Sequence, residues 1–308
     1  VKKLTTLDLE PLAGINLTNP DRVLFPEMGI TKAELALFYT KIADWILPYI
    51  VNRPLSLVRC PQGEDKSCFF QKHPHETLKA QIYSVEIQEK TAKKPYIVIE
   101  DIQGLIALIQ YGTLEFHSWG SNVEDIEHPD QMVIDIDPDI EVSWLQIIET
   151  AQLVNNVLKH LELQSFVRTS GGKGLHVVTP LSRRANWTEV KEFSKQVCSQ
   201  LAKAYSDKFV AVMAKKKRKG KIFLDYLRNG RGATAIVNYS TRARPEAPIA
   251  TPLGWHEVTP QLSANKYRFD NLQRRLSSLK EDPWKDFHNI EQNVDLKKIE
   301  ELKRFLST

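Results

Sequence analysis

Between residues 131 and 240 the apolar positions switch repeatedly between two spacings. Short apolar runs at MVIDID, SFVRT, LHVVTP and KIFLDYL have the length and composition of strands. Between them, apolar residues recurring every three to four positions predict one helix from about Ser143 to Leu161 and another from about Thr188 to Tyr205. FVAV predicts a short additional strand, and ATAIVNYS a later one that extends the same sheet.

The N-terminal third is less regular. It opens as a loop, and Thr31-Lys-Ala-Glu34 then forms a capping box at the head of an amphipathic helix reaching about Pro48. Short strands are predicted around LSLVRC, CFFQ and YIVIE, followed by a helix from about Asp101 to Gln110 and a strand at TLEFHSW. Toward the C-terminus, NLQRRLSSL and VDLKKIEELKRFL read as helices. With no repeat and no low-complexity linker, residues 1–308 are expected to form a single domain. Its parts would be an N-terminal α/β lobe (1–112), a core (113–270) and a helical tail (271–308).

The β-α-β-β-α-β order of the core is the ferredoxin-like arrangement, also found in RNA-recognition modules, and makes the fold class α+β. In that arrangement the first strand lies between the third and the fourth. Residues on MVIDID can therefore approach residues on LHVVTP and KIFLDYL.

Composition narrows the picture only slightly. At 308 residues, with 42% hydrophobic and 26% charged, the chain resembles an ordinary soluble globular protein with a sizeable core. No apolar run approaches the ~18 residues of a membrane span, and no signal-peptide pattern opens the chain. The start at Val1 rather than Met points to a processed protein or an excised domain. Cys60, Cys68 and Cys198, with no CxxC pair, predict buried thiols in a reducing cytoplasm rather than a disulfide framework. Cys60, Cys68, His73 and His75 could be strung into a zinc site, but their spacing is irregular and surface histidines are the preferred reading. Charge is more informative. The net +4 conceals a stretch from Lys215 to Arg244 with ten Lys/Arg and one acid, Asp225. KKKRKGK alone would suit a solvated loop, but the arginines continue through the segments that follow, which predicts an anionic partner.

The chemistry starts in QMVIDIDPD. Asp135 and Asp137 end an apolar strand on the same face, about 7 Å apart at their Cα atoms. Two like charges ~5 Å apart repel by roughly 3 kcal/mol at an effective dielectric of 20. Pro138 is expected to stop the ladder. Asp225 in IFLDYLR is a third carboxylate in an apolar strand. Three carboxylates converging on one sheet need cations, and two divalent ions ~4 Å apart would serve. An EF-hand is excluded because its sixth position is Ile140 rather than Gly and its twelfth is Gln146 rather than Glu. Aspartates that merely end a strand and cap a loop are the plainer alternative. TSGGKGLH, residues 169–176, is neither a Walker A sequence nor GxGxxG. Its backbone N–H groups could form an anion-binding nest, with Ser170, Lys173 and His176 adding donors. Taken alone, a glycine hairpin turn with a surface lysine is the preferred reading of this stretch.

Taken together, IDIDPD, TSGGKGLHVV and FLDYLRNGRGATAIVNYSTRARP resemble the polymerase domain of bacterial ligase D, in the archaeo-eukaryotic primase superfamily. FFQKHP, EFHSWGS and NPDRVLFPEMGITKAEL match the same family, so the resemblance runs from about Asn16 to about Leu279. It implies that Asp135, Asp137 and Asp225 bind two catalytic metal ions, manganese or magnesium, and are the catalytic residues. It implies that Ser170, Lys173 and His176 hold the NTP or dNTP, with Arg242 and His117 beside it and Arg228 supporting the site. Phe69 and Phe70 would stack on the template. Arg22, where the family usually has lysine, and Lys32 would meet a 5′-phosphate at a DNA end.

The resulting expectation is a primase-polymerase, a template-directed nucleotidyltransferase filling gaps at double-strand breaks in non-homologous end joining and favouring ribonucleotides. Its implied partners are DNA ends, primer–template DNA, a Ku-like end-binding protein and a DNA ligase, fused or separate, with no membrane. Its implied location is the cytoplasm, at the nucleoid of a prokaryote. The chain contains no K-x-D-G ligase motif, so nick sealing is not expected of this stretch. The rivals are a non-catalytic nucleic-acid end-binding module, which needs no carboxylate cluster, and a metal-dependent nuclease.

Overall fold

The computed structural model describes residues 12–75, 78 and 82–307; most of the expected opening loop, residues 1–11, lies outside the described residues. The chain forms two compact units that interleave along the sequence. The first contains 1–118, 236–250 and 267–279, and the second 119–235, 251–266 and 280–308.

In the first unit, β1 (Val23–Phe25) and β2 (Ile30–Thr31) pair antiparallel and lead into α1 (Lys32–Lys41). The capping box forms as its sequence requires: Thr31 Oγ1 accepts from Glu34 N, and the Glu34 carboxylate accepts from Thr31 N at 2.8 Å. The single helix expected to reach Pro48 is two helices. α1 ends at Lys41, and α2 (Ala43–Ile50) contains Pro48, which deprives only the Asp44 carbonyl of its helical donor. The sheet comprises β3 (Leu55–Arg59), β4 (Phe69–Gln71), β5 (Tyr83–Gln88), β6 (Lys93–Val98) and β7 (Thr113–Ser118). It also takes in β13 (Ala235–Ile236), in the order β13-β7-β3-β6-β5 with β4 also paired to β3. α3 (Ile102–Gln110), capped by Asp101, and α6 (Leu272–Ser278) belong to the same unit. β5 went unpredicted because its mostly polar positions are largely open to solvent, and β6 begins earlier than YIVIE, at Lys93.

The cysteine expectation is overturned here. β3 and β4 pair Arg59 with Phe69, so the next cross-strand pair is Cys60 and Cys68, whose Cα atoms are 4.4 Å apart and whose sulfurs form a disulfide. Register, invisible in an irregular spacing, brings them together. Cys198 alone is a buried free thiol.

The second unit contains the ferredoxin-like core. Its elements are β8 (Gln131–Pro138), α4 (Trp144–His160), β9 (Phe166–Thr169), β10 (Leu175–Pro180), α5 (Trp187–Ala204), β11 (Phe209–Val210) and β12 (Ile222–Asp225). Capping boxes at Ser143/Gln146 and Asn186/Glu189 set the starts of α4 and α5. With β14 (Pro252–Leu253) the sheet order is β11-β12-β8-β10-β9-β14, so β8 lies between the third and fourth core strands as expected. The ladder runs through Pro138, opposite Ile222, rather than stopping before it. ATAIVNYS does not extend this sheet. β8 is already flanked on both sides and β11 caps β12, so β14 takes the open edge at β9 while Ala235–Ile236 joins β7. α7 (Ile299–Phe305) follows near the C-terminus. Among the described residues, no helix is long and apolar enough to cross a membrane.

Candidate active site

Four neighbouring strands of the second unit carry one cross-strand row. Arg168 on β9 stands opposite His176 on β10, His176 opposite Asp135 on β8, and Asp135 opposite Asp225 on β12. Residues in register on adjacent strands share a face. The row therefore reads guanidinium, imidazole, carboxylate, carboxylate. Asp137 lies two residues along β8 on the same face, opposite Phe223.

Arginines hold these acids. Arg228 donates from Nε and Nη2 to Asp135 Oδ2 at 3.2 and 3.1 Å, and its Nε is 3.7 Å from Asp225 Oδ2. Arg218 lies 3.8 Å over the Phe223 ring and reaches Asp137 Oδ2 at 3.3 Å. Asp225 Oδ1 also accepts from Leu227 N at 2.8 Å. His176 Nε2 is 3.5 Å from Asp135 Oδ1. Burial, aided by the charges of Asp225 and Asp137, pushes the Asp135 carboxyl up to about 6 against the opposing pull of Arg228. Burial likewise raises Asp225 above the usual carboxylate range. It works against the charge of Arg228, but Asp135 and Asp225 outweigh it and raise that group. Asn229, buried beside Arg228, accepts from Val133 N and donates to Val133 O, which ties the Arg228 turn to β8.

Three carboxylates on one face, Asp135 buried and repelled by the other two, are hard oxygen donors that fit divalent ions. Among the described residues no three His, Cys, Asp or Glu side chains converge into a ready metal-ligating group, because the acids are turned onto Arg228 and Arg218.

The loop between β9 and β10 is drawn inward. Ser170 Oγ donates to Gly174 O at 2.9 Å and accepts from Gly172 N and Gly174 N. Its donor is thus spent inside the loop rather than offered to an anion, which corrects one part of the expected nest. Lys173 is exposed at the tip. Gly174 must be glycine: a Cβ there would lie 1.9 Å from the carbonyl oxygen of Ile136, between the two β8 aspartates.

The remaining candidates belong to the first unit. Glu115 on β7, absent from the sequence reading, gathers two of them. His117 Nε2 is 2.8 Å from Glu115 Oε2, Arg242 Nε is 3.1 Å from Oε1, and Ala243 N donates to Oε1. Burial opposes the Glu115 charge, but His117 and Arg242 prevail and hold its carboxyl at about 2. Phe69 and Phe70 on β4 are 45% and 75% exposed, which leaves ring faces open to stacking. Arg59 lies 5.3 Å beneath Phe69, and Phe70 is 6.1 Å from the His117 ring.

Arg22 and Lys32 are neighbours, since Lys32 N donates to Arg22 O at 2.8 Å. Their side chains are engaged with backbone carbonyls of the same unit. Lys32 is 4% exposed and donates to the Thr18 and Gln110 carbonyls at 2.8 and 3.0 Å, and Arg22 donates to Pro61 O. The α1 N-terminus offers no spare donors in its first three residues, because Lys32 N, Ala33 N and Glu34 N are bonded to Arg22 O, Pro20 O and Thr31 Oγ1. Burial and the charge of Arg22 bring the Lys32 ammonium down to about 8.

Arg168, Arg218, Asn229, Glu115 and Arg59 were missed. A charge inside SFVRT was the same signal that exposed Asp225, whereas Arg218 and Asn229 sat within stretches that read as loop.

Comparison with known proteins places this geometry. The family model for the LigD primase-polymerase domain matches residues 31–284. The multifunctional non-homologous end joining protein LigD of Pseudomonas aeruginosa is 37% identical over 283 residues, covering 92% of this chain and 34% of that protein. The protein of the same name from Mycolicibacterium smegmatis is 33% identical over 271 residues, covering 87% and 35%. The chain thus spans about a third of the length of these curated relatives. The solved polymerase domain from Mycobacterium tuberculosis ligase D, in complex with DNA, matches with a TM-score of 0.83 at 28% identity, over 89% of this chain and 98% of that one. The expected α+β, archaeo-eukaryotic primase-like fold is the fold observed. By sequence and by structure, this chain belongs to the LigD primase-polymerase domain family, a family of nucleotidyltransferases.

Proposed function

We propose that residues 1–308 act as one primase-polymerase domain that extends primer ends across gaps at broken DNA, in non-homologous end joining, with a preference for ribonucleotides. The observation that carries this reading is the cross-strand row, which sets His176 beside Asp135 and Asp135 beside Asp225. A nucleic-acid-binding module has no need to bury repelling carboxylates.

In this reading Asp135, Asp137 and Asp225 are the catalytic ligands of two divalent ions, manganese or magnesium. Bound there, the ions would neutralise triphosphate charge and lower the pKa of the attacking primer hydroxyl. The chain's own residues orient the substrate. His176 and Lys173 hold the NTP or dNTP phosphates, Ser170 shapes the loop that carries Lys173, and Arg228 keeps the carboxylates on the reacting face. His117 and Arg242, gathered by Glu115, are further nucleotide-binding residues. Phe69 and Phe70 stack on template bases, with Arg59 buttressing Phe69. Arg22 and Lys32 receive the 5′-phosphate of the downstream strand. A Ku-like end-binding protein and a DNA ligase are the proposed partners, in the cytoplasm at the nucleoid.

The test is one incubation of end-labelled, gapped primer–template with manganese and equal concentrations of ribo- and deoxyribonucleotides. Extension dominated by ribonucleotides is expected. A shortened primer would mean a nuclease, an unchanged one an end-binding module, and equal incorporation would remove the ribonucleotide preference.

A further inference from the structure

We propose that Arg168 is a positioning residue for His176, fixing the imidazole as the tautomer whose Nε2–H faces the nucleotide triphosphate; this rests on the polymerase reading above. Arg168 sits inside β9, 4% exposed, an unusual place for a guanidinium. Its Nε and Nη2 lie 3.3 and 3.2 Å from His176 Nδ1. A guanidinium can only donate, so Nδ1 must accept. The ring proton is thereby assigned to Nε2, the nitrogen that lies 3.5 Å from Asp135 Oδ1 on the reacting side of the row.

The consequence for an anionic substrate is direct. Phosphate oxygens are acceptors, and an imidazole bearing its proton on Nδ1 would turn a lone pair toward them. With Arg168 in place the ring meets them as a donor. The guanidinium is itself held in register: Arg168 is opposite Pro252 on β14, and its Cζ lies 5.7 Å over the Trp284 ring, whose Nε1 donates to Val167 O. A residue that served only to pack the sheet would be apolar here. Two of its nitrogens instead converge on one ring nitrogen of His176.

The first measurement uses the wild-type protein labelled with ¹⁵N-histidine, the His176 signals being assigned by their loss in His176→Asn. Long-range ¹H–¹⁵N correlations are expected to show an unprotonated Nδ1 and a protonated Nε2. A proton on Nδ1 would overturn the proposal, and this measurement does not depend on any Arg168 variant folding. The second compares kinetics. Arg168→Met is expected to raise the KM for nucleotide by about tenfold, the worth of one charge-assisted hydrogen bond, with kcat within a few fold. Arg168→Lys, which keeps one donor, should recover most of that loss. An unchanged nucleotide KM in the methionine variant, or no recovery by lysine, would sink the idea. Absence of extension by the wild-type protein would instead defeat the polymerase reading and leave the tautomer measurement to decide this one.

Discussion

Asp135 on β8 and Asp225 on β12 sit where their own charge is disfavoured. Burial and the two neighbouring acids push Asp135 up to about 6, and Arg228 only partly offsets them. That setting suits groups whose partner is a cation supplied with the substrate. Asp225→Ala is therefore expected to abolish primer extension while leaving DNA affinity within a few fold, measured by gel extension and by anisotropy. A loss of affinity by orders of magnitude would assign Asp225 a structural role. Lys32 offers a pH readout. Its ammonium titrates at about 8 in the folded chain and near 10.5 when unfolded. Between those values the unfolded chain holds more protons, so the Lys32 contribution to stability rises with pH across that window. The charge needed for a phosphate is lost across the same window. The preference for a 5′-phosphate over a 5′-hydroxyl end should therefore fall as the pH passes about 8 and be absent throughout in Lys32→Met. A preference that stays constant across that range would place the phosphate elsewhere. The three aspartates were legible because a charge inside an apolar strand marks the sequence. Arg168 bears the same mark, but its partner is set by register.

At the scale of elements, each feature of the candidate site depends on how one element abuts another. The β9–β10 loop can close only because Gly174 has no side chain to meet the Ile136 carbonyl. Gly174→Ala forces β8 or the loop to move and should cost about 1–3 kcal/mol, as overpacking does. It should also raise the nucleotide KM, because it displaces Lys173 and the Ser170 anchor. A variant with wild-type melting temperature and KM would show that the loop is slack. The α1 N-terminus teaches the converse. Its capping box was readable in Thr31 and Glu34, yet the same cap, with two backbone carbonyls, leaves no spare donor in the first turn to offer a phosphate. Any end recognition there falls to the Arg22 and Lys32 side chains.

Over the whole molecule, charge is distributed unevenly while the net is only +4. Lys215, Lys216 and Lys217 form an exposed 3₁₀ turn between β11 and β12. Replacing all three by alanine should weaken binding to every DNA sequence alike and reduce the log–log salt slope by about 2–3, near one unit per lost phosphate contact. Extension at saturating DNA should persist. An unaltered slope, measured by anisotropy across a salt series, would make this turn a solvated loop.

Hydrophobic spacing alone determined the βαββαβ order, the α4 and α5 helices and the three acids on their strands, because strand and helix periodicities are local. What the chain could not state locally was pairing. The strand order brought β8 beside β10 and β12, but that His176 and Asp225 stand directly opposite Asp135, that Cys60 lies opposite Cys68, and that Glu115 gathers His117 and Arg242 are outcomes of register and packing, as is the sheet that Ala235–Ile236 joins. Register is set by the burial of whole faces, and a shift of one residue would turn every side chain of a strand to the opposite side. Tertiary packing decided it.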